Sequence, residues 1–225
     1  MEEQANTNMN TPKKVYFETL GCKTNQYESE ALAALFAEAG YDYTEDIDEA
    51  DVCVVNTCTV THVSDRKSRQ VIRRVAGAKK KDAVLVVCGC TNQRSHIVKA
   101  VEDFLASNKR KTYVATTKEM ADFEPLGAHR VINMTRAYLK IQEGCQQYCS
   151  YCIIPYARGP LRSRKMADIL AEVRNLEEVN FQELILTGTH IGAYGEEDGN
   201  EGYDLADVCA QILANSSIPR LRLGS

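Results

Sequence analysis

DVCVVNTC, residues 51–58, is a short apolar run that closes on asparagine, threonine and cysteine. Two further runs share its form, VYFETLGC (15–22) before it and DAVLVVCGC (82–90) after it. The segments that follow each run carry helical signals. ESEALAALFAEAG (28–40) sets leucine, alanine and phenylalanine at helical spacing and has a glycine where a helix would stop. SDRKSRQVIRRVAGAKKK (64–81) opens on a serine suited to an N-cap and carries a basic face, and SHIVKAVEDFLASN (95–108) reads as the next helix. Strands that are apolar throughout and alternate with helices predict a parallel sheet covered on both faces. The expected fold class is therefore α/β, beginning with a three-layer parallel-sheet domain over residues 13–107.

Composition sets wider bounds. The 225 residues are 44% hydrophobic and 26% charged, the balance of an ordinary globular protein. MEEQANTNMN, at the start, has neither a basic opening nor an apolar core, so it reads as a tail and not a signal peptide. The longest apolar runs, such as AVLVV, are strand-sized and too short to span a bilayer. A protein of the cytoplasm with no membrane partner is expected. The formal net charge of -4 does not advertise nucleic-acid binding, but a local basic patch can carry such contacts.

Nine cysteines are unusual for that compartment, where disulfides are opposed; metal or redox chemistry is the better account. Cys22, Cys58 and Cys90 each follow one of the three runs. The carboxyl ends of parallel strands point to one edge of a sheet, so these distant thiols are expected to converge there. Cys53 and Cys88 lie within strands, and Cys209 in LADVCAQIL lies on an apolar helical face; all three are expected in the core.

Residues 108–135 mix short apolar pieces with polar and turn residues, which suggests a last edge strand and a linker. A second unit over 136–225 starts with TRAYLKIQEGC, an extended segment that delivers Cys145. ADILAEVRNLEEVN (167–180) has helical spacing, QELILTG (182–188) is a strand, LADVCAQILANS (205–216) a helix and PRLRLGS a third strand. Such steps predict the first part of a (β/α) barrel. The last strand lacks a helix to cover it, so the chain reads as an amino-terminal portion.

CQQYCSYC (145–152) supplies three thiols at intervals of four and three. Zinc would need a fourth ligand, for which His190 in ELILTGTHIG is available from a distance. An iron–sulfur cube offers another account: three thiolates leave one iron open to a ligand.

GCKTNQYESE, VVNTCTVTHVSDRKSRQ, CGCTNQ and LKIQEGCQQYCSYCIIPYARGPLRSR together resemble the methylthiotransferase family of radical S-adenosylmethionine enzymes, and the resemblance runs from Lys13 onward. TCTVT, DRKSRQ and IIPYARG are most similar to members that modify threonylcarbamoyladenosine beside the tRNA anticodon. The resemblance implies two [4Fe-4S] clusters, an auxiliary one on Cys22, Cys58 and Cys90 and a radical-generating one on Cys145, Cys149 and Cys152. It implies a radical-SAM barrel, S-adenosylmethionine as cofactor, an electron donor and sulfur insertion at adenine C2 followed by methylation. Tyr151 and Gly188 are the expected contacts to S-adenosylmethionine, and Asn25 and Gln26 resemble residues lining the auxiliary site. Members add a carboxyl-terminal RNA-binding β-domain, for which no segment is seen here.

Basic residues flank both cysteine groups. Arg66, Lys67, Arg69, Arg73 and Arg74 crowd the helix after Cys58, and Arg158, Arg162, Arg164 and Lys165 follow Cys152. Both sets are expected to grip tRNA phosphates, with Tyr156 placed to stack on a base. Two other functions fit the same residues: methylthiolation of a ribosomal-protein aspartate, and a catalytically silent iron–sulfur binding protein.

Overall fold

The structure is a computed structural model, and it describes residues 12–58, 60–89, 94–110, 112, 123–124, 126 and 136–224. The first sheet contains β1 (Lys14–Thr19), β2 (Asp42–Tyr43), β3 (Val52–Asn56) and β4 (Val84–Cys88), all parallel, in the order β2-β1-β3-β4. Helices α1 (Lys23–Glu38), α2 (His62–Ala78) and α3 (Ile97–Ser107) cover it. The alternation along β3 shows how. Val52 and Val54 join Phe36 of α1 and Val101 of α3 in one core cluster, while Cys53 and Val55 join Val75 of α2 in another. Successive side chains of a strand face opposite ways, so an all-apolar run feeds both layers at once. The three-layer expectation holds.

Three details differ from what the sequence pattern predicts, the first being that Thr61 and not Ser64 caps α2, its hydroxyl accepting from the Ser64 N–H at 3.1 Å. The two-residue β2 pairs with β1 at the sheet edge, led there by Tyr41, whose ring packs edge-on against Phe36 at 5.2 Å. Helix α1 begins at Lys23, with Cys22 as its N-cap, five residues before the apolar periodicity starts. Its first turns are polar yet buried, Asn25 and Glu28 completely so, because they face the second sheet and not solvent.

That second sheet has the order β6-β5-β7-β8, made of β5 (Arg136–Glu143), β6 (Arg162–Ser163), β7 (Glu183–Gly188) and β8 (Leu221–Leu223). β5, β7 and β8 are parallel, as the opening of a barrel requires, and β6 runs antiparallel to β5. Helices α5 (Met166–Glu178) and α6 (Leu205–Asn215) cover the outer face, where Ile169, Val173, Val208 and Ile212 pack on Leu139, Ile141, Leu184 and Leu186. A one-turn helix, α4 (Ile154–Arg158), separates the cysteine loop from β6; both are too short for periodicity to signal them. The first-sheet domain followed by a half-barrel is the predicted architecture. Of the expected edge strand and linker at 108–135, most lies outside the described residues.

Candidate functional site

Two thiols of the first domain, those of Cys22 and Cys58, stand where strands end. Cys22 caps α1 just after β1 and is exposed; Cys58 follows β3 and is buried. The two segments are in close contact. A Cβ on Gly21 would lie 2.7 Å from Cys58 Cβ and 3.1 Å from its Sγ, so only glycine lets the chain pass there. Ser68 of α2 pins Cys58 by accepting from its N–H at 3.3 Å and donating to its carbonyl at 3.0 Å. Cys90 lies outside the described residues. Asn25 ties the strand ends together. Its Oδ1 accepts from Cys22 Sγ at 3.4 Å, and its Nδ2 donates to the Thr57 carbonyl at 2.9 Å. Gln26 points outward to Glu30 instead.

Cys145, Cys149 and Cys152 occupy the loop between β5 and α4; Cys149 is exposed and the others half-buried. The loop is closed at its base. Gly144 has φ +76, and a Cβ there would fall 1.8 Å from the Pro160 carbonyl oxygen; beside it, the Cys145 N–H donates to Gly159 O at 3.2 Å. Gln142, fully buried, locks the same region. Its Nε2 donates to the carbonyls of Glu143 (2.9 Å) and Gly144 (2.7 Å), and its Oε1 accepts from the His190 N–H at 2.7 Å. Gly188 packs on this residue: an added Cβ would sit 2.7 Å from Gln142 O. Tyr151 is 89% exposed, and the rings of Tyr148 and Tyr156 meet edge-on at 6.0 Å, also open to solvent.

The donor chemistry suits iron–sulfur binding. These are free thiols, soft ligands on polar, partly open loops. Among the described residues no three cysteine, histidine or acidic side chains already stand together as a metal group. The fit therefore rests on the donor set and on the loop placement. The remaining cysteines behave as the sequence suggests. Burial pushes the Cys88 thiol up to about 12 and raises those of Cys53 and Cys209, so all three stay protonated core groups.

The basic residues divide into two kinds. Arg66, Lys67, Arg69, Arg73 and Arg74 are exposed along α2; Arg69 pairs with Asp65 and Arg74 with Glu18. Lys165 is exposed too. The expectation of a second phosphate-gripping face fails for its arginines: Arg158, Arg162 and Arg164 are 2%, 3% and 4% exposed. Arg164 pairs with Glu172, to which the Tyr27 hydroxyl also donates at 3.4 Å. Arg158 enters a buried ionic cluster between the two sheets. Glu28 Oε1, from α1, lies 3.0 Å from Arg158, 3.1 Å from Arg94 and 3.3 Å from Lys140. Glu143, at the end of β5, lies 2.8 Å from Arg158, 3.2 Å from Lys140 and 3.6 Å from Arg162. Burial alone would raise both carboxyls, but the surrounding cations outweigh it and hold them below the usual carboxylate range. Sequence reasoning misses Lys140 and Glu143; a lysine set between the leucine and isoleucine of the β5 run LKI is the available signal.

Residues 14–113 match the family model described as Uncharacterized protein family UPF0004, and residues 139–215 match the Radical SAM superfamily. The chain belongs to the radical SAM superfamily, with a UPF0004 domain ahead of the half-barrel. Among named relatives is the threonylcarbamoyladenosine tRNA methylthiotransferase MtaB of Bacillus subtilis, 37% identical over 94% of this chain and 51% of that one. MtaB of Aquifex aeolicus is 34% identical over 94% of this chain and 56% of its own length. The tRNA-2-methylthio-N(6)-dimethylallyladenosine synthase of Bacillus subtilis is 30% identical, covering 93% and 46% respectively. The chain thus spans about half the length of the curated relatives it matches. Among solved structures, the radical S-adenosylmethionine methyltransferase TsrM from Kitasatospora setae superposes with a TM-score of 0.53 at 10% identity. That likeness covers 79% of this chain and 49% of TsrM, and it is one of fold alone. Among the described residues no helix is long and apolar enough to cross a membrane.

Proposed function

We propose that the chain carries the cysteine and cofactor machinery of a cytoplasmic tRNA methylthiotransferase, which inserts sulfur at C2 of N6-threonylcarbamoyladenosine 37 and methylates it. The observation that supports this is the placement of Cys22 and Cys58 at strand ends of the first sheet and of Cys145, Cys149 and Cys152 in the loop after β5. The names of the MtaB relatives support the choice of base. In this reading Cys22, Cys58 and Cys90 hold one [4Fe-4S] cluster, and Cys145, Cys149 and Cys152 hold the other. When bound, the clusters and S-adenosylmethionine would supply one-electron chemistry, the sulfur and the methyl group.

The protein's own contributions are positional. Gly144 and Gln142 hold the base of the cysteine loop, and Gly188 lets β7 come close to it. Tyr151, exposed beside the last two loop cysteines, offers a ring to the adenine of S-adenosylmethionine. The exposed cations of α2, with Lys165, meet phosphates of the anticodon region, and Tyr156 offers a face to a base. A separate electron donor delivers the reducing equivalents.

Anaerobic reconstitution with iron and sulfide tests the reading. About eight irons per chain are expected, and replacing Cys145, Cys149 and Cys152 together with alanine should halve that number. Uptake of a single zinc and no iron would overturn it. Mass spectrometry of tRNA nucleosides, using the reconstituted protein, reports the product.

A further inference from the structure

We propose that Arg158 is a positioning residue that fixes the two cysteine groups relative to each other, through a buried relay to Asn25. Arg158 Nη1 lies 2.8 Å from Glu143 Oε1 and 3.0 Å from Glu28 Oε1, while Nη2 donates to Asn25 Oδ1 at 3.2 Å. Its ion pair with Glu143 therefore closes the segment holding Cys145, Cys149 and Cys152, since Glu143 precedes the loop and Arg158 follows it. The other arm of the same guanidinium reaches the side chain that accepts from Cys22 Sγ and donates to the carbonyl preceding Cys58. Arg94 extends the cluster, pairing with Glu28 and donating to Gly89 O, next to Cys90 in the chain, at 2.8 Å.

The segments holding Cys22, Cys58 and 145–152, and Gly89 at the end of β4, are thus one or two contacts from a single cluster. The choice of arginine follows from its shape. A planar fork with separate donors can serve the carboxylates and Asn25 in one fixed plane; an ammonium presents a compact point charge. Burying so many charges is a poor way to gain stability compared with apolar packing. What it does provide is a directional link that excludes sliding of one sheet against the other.

The use made of this link rests on the two-cluster reading, but the link itself is measurable without metal. Hydrogen exchange with mass spectrometry on the whole reduced chain would compare Asn25→Ala, Asn25→Asp, Arg158→Lys and, as a surface control, Lys14→Ala. Asn25→Ala should speed exchange across 145–158 about tenfold, although Asn25 belongs to the other domain. Asn25→Asp keeps the acceptor for Arg158 and should restore protection of 145–158, while the bond to Thr57 is lost. Arg158→Lys should loosen both 22–30 and 145–158, and Lys14→Ala neither. If Asn25→Ala loosens α1 while 145–158 keeps its protection, Arg158 serves only local packing and the proposal fails. The Asn25 comparison decides the matter even if the Arg158 variant does not fold. Iron content separates the two ideas: coupled exchange in a chain that takes up no iron supports this proposal and refutes the clusters alone.

Discussion

Gly144 sits at the junction of β5 and the cysteine loop, where one missing methyl decides the backbone path. Its φ of +76 strains any side chain, and an added Cβ would lie 1.8 Å from the carbonyl oxygen of Pro160. Gly144→Ala should lower unfolding stability by about 2–4 kcal/mol, combining the left-handed penalty with displacement of the facing loop. Urea denaturation followed by circular dichroism measures this; an unchanged midpoint would mean that the 158–160 turn moves freely. A glycine beside a cysteine is visible in sequence, but the approach of Pro160, sixteen residues on, is not. The cysteines are more legible. Position relative to the strands suffices to put Cys53 and Cys88 in the core and Cys22 and Cys58 at the strand ends, because strand alternation is a local property.

At the scale of elements, α2 and the segment after Cys152 show what local sequence conceals. Both are arginine-rich, and both follow a cysteine that is a candidate ligand. They part company because Glu28 of α1, Glu143 of β5 and Glu172 of α5 converge to neutralise Arg158 and Arg164, whereas α2 faces solvent. On α2, Arg66, Lys67 and Arg73 have no ion-pair partner among the described residues. If this face meets tRNA, Arg66→Glu with Arg73→Glu should weaken binding and reduce the slope of log K against log salt by about 1–2. Filter binding across a salt series checks it, with thermal melting to show that these exposed changes leave the fold intact. A tRNA affinity and salt slope equal to the parent's would move the interface elsewhere. Elements with strong periodicity, α3 and α5 among them, are readable in advance; the start of α1 is not, since polar residues there are buried by another domain.

For the whole molecule, the contact between the sheets contains a buried cluster of carboxylates and cations, and that makes it responsive to acid. Glu28 is fully buried, and burial by itself would raise its pKa; Arg158, Arg94 and Lys140 outweigh this and lower it. A carboxyl lowered on folding stabilises the folded state fully above its ordinary value of about 4.3, and that contribution is lost progressively as the pH falls below it. The urea midpoint should therefore drop as the pH goes from about 6 to 3, with Glu28 contributing part of the fall. Glu28→Gln removes the titrating group and leaves Arg158, Arg94 and Lys140 short of one counter-charge. At neutral pH it should cost about 3 kcal/mol, the penalty of breaking a buried pair from one side. Its profile against pH should be shallower than the parent's, since the variant has already lost what acid would remove. High salt should restore little of the loss, because ions screen buried charges far less than those on α2. A variant with the parent's stability and the parent's acid slope would show that Glu28 is not what holds the two sheets together.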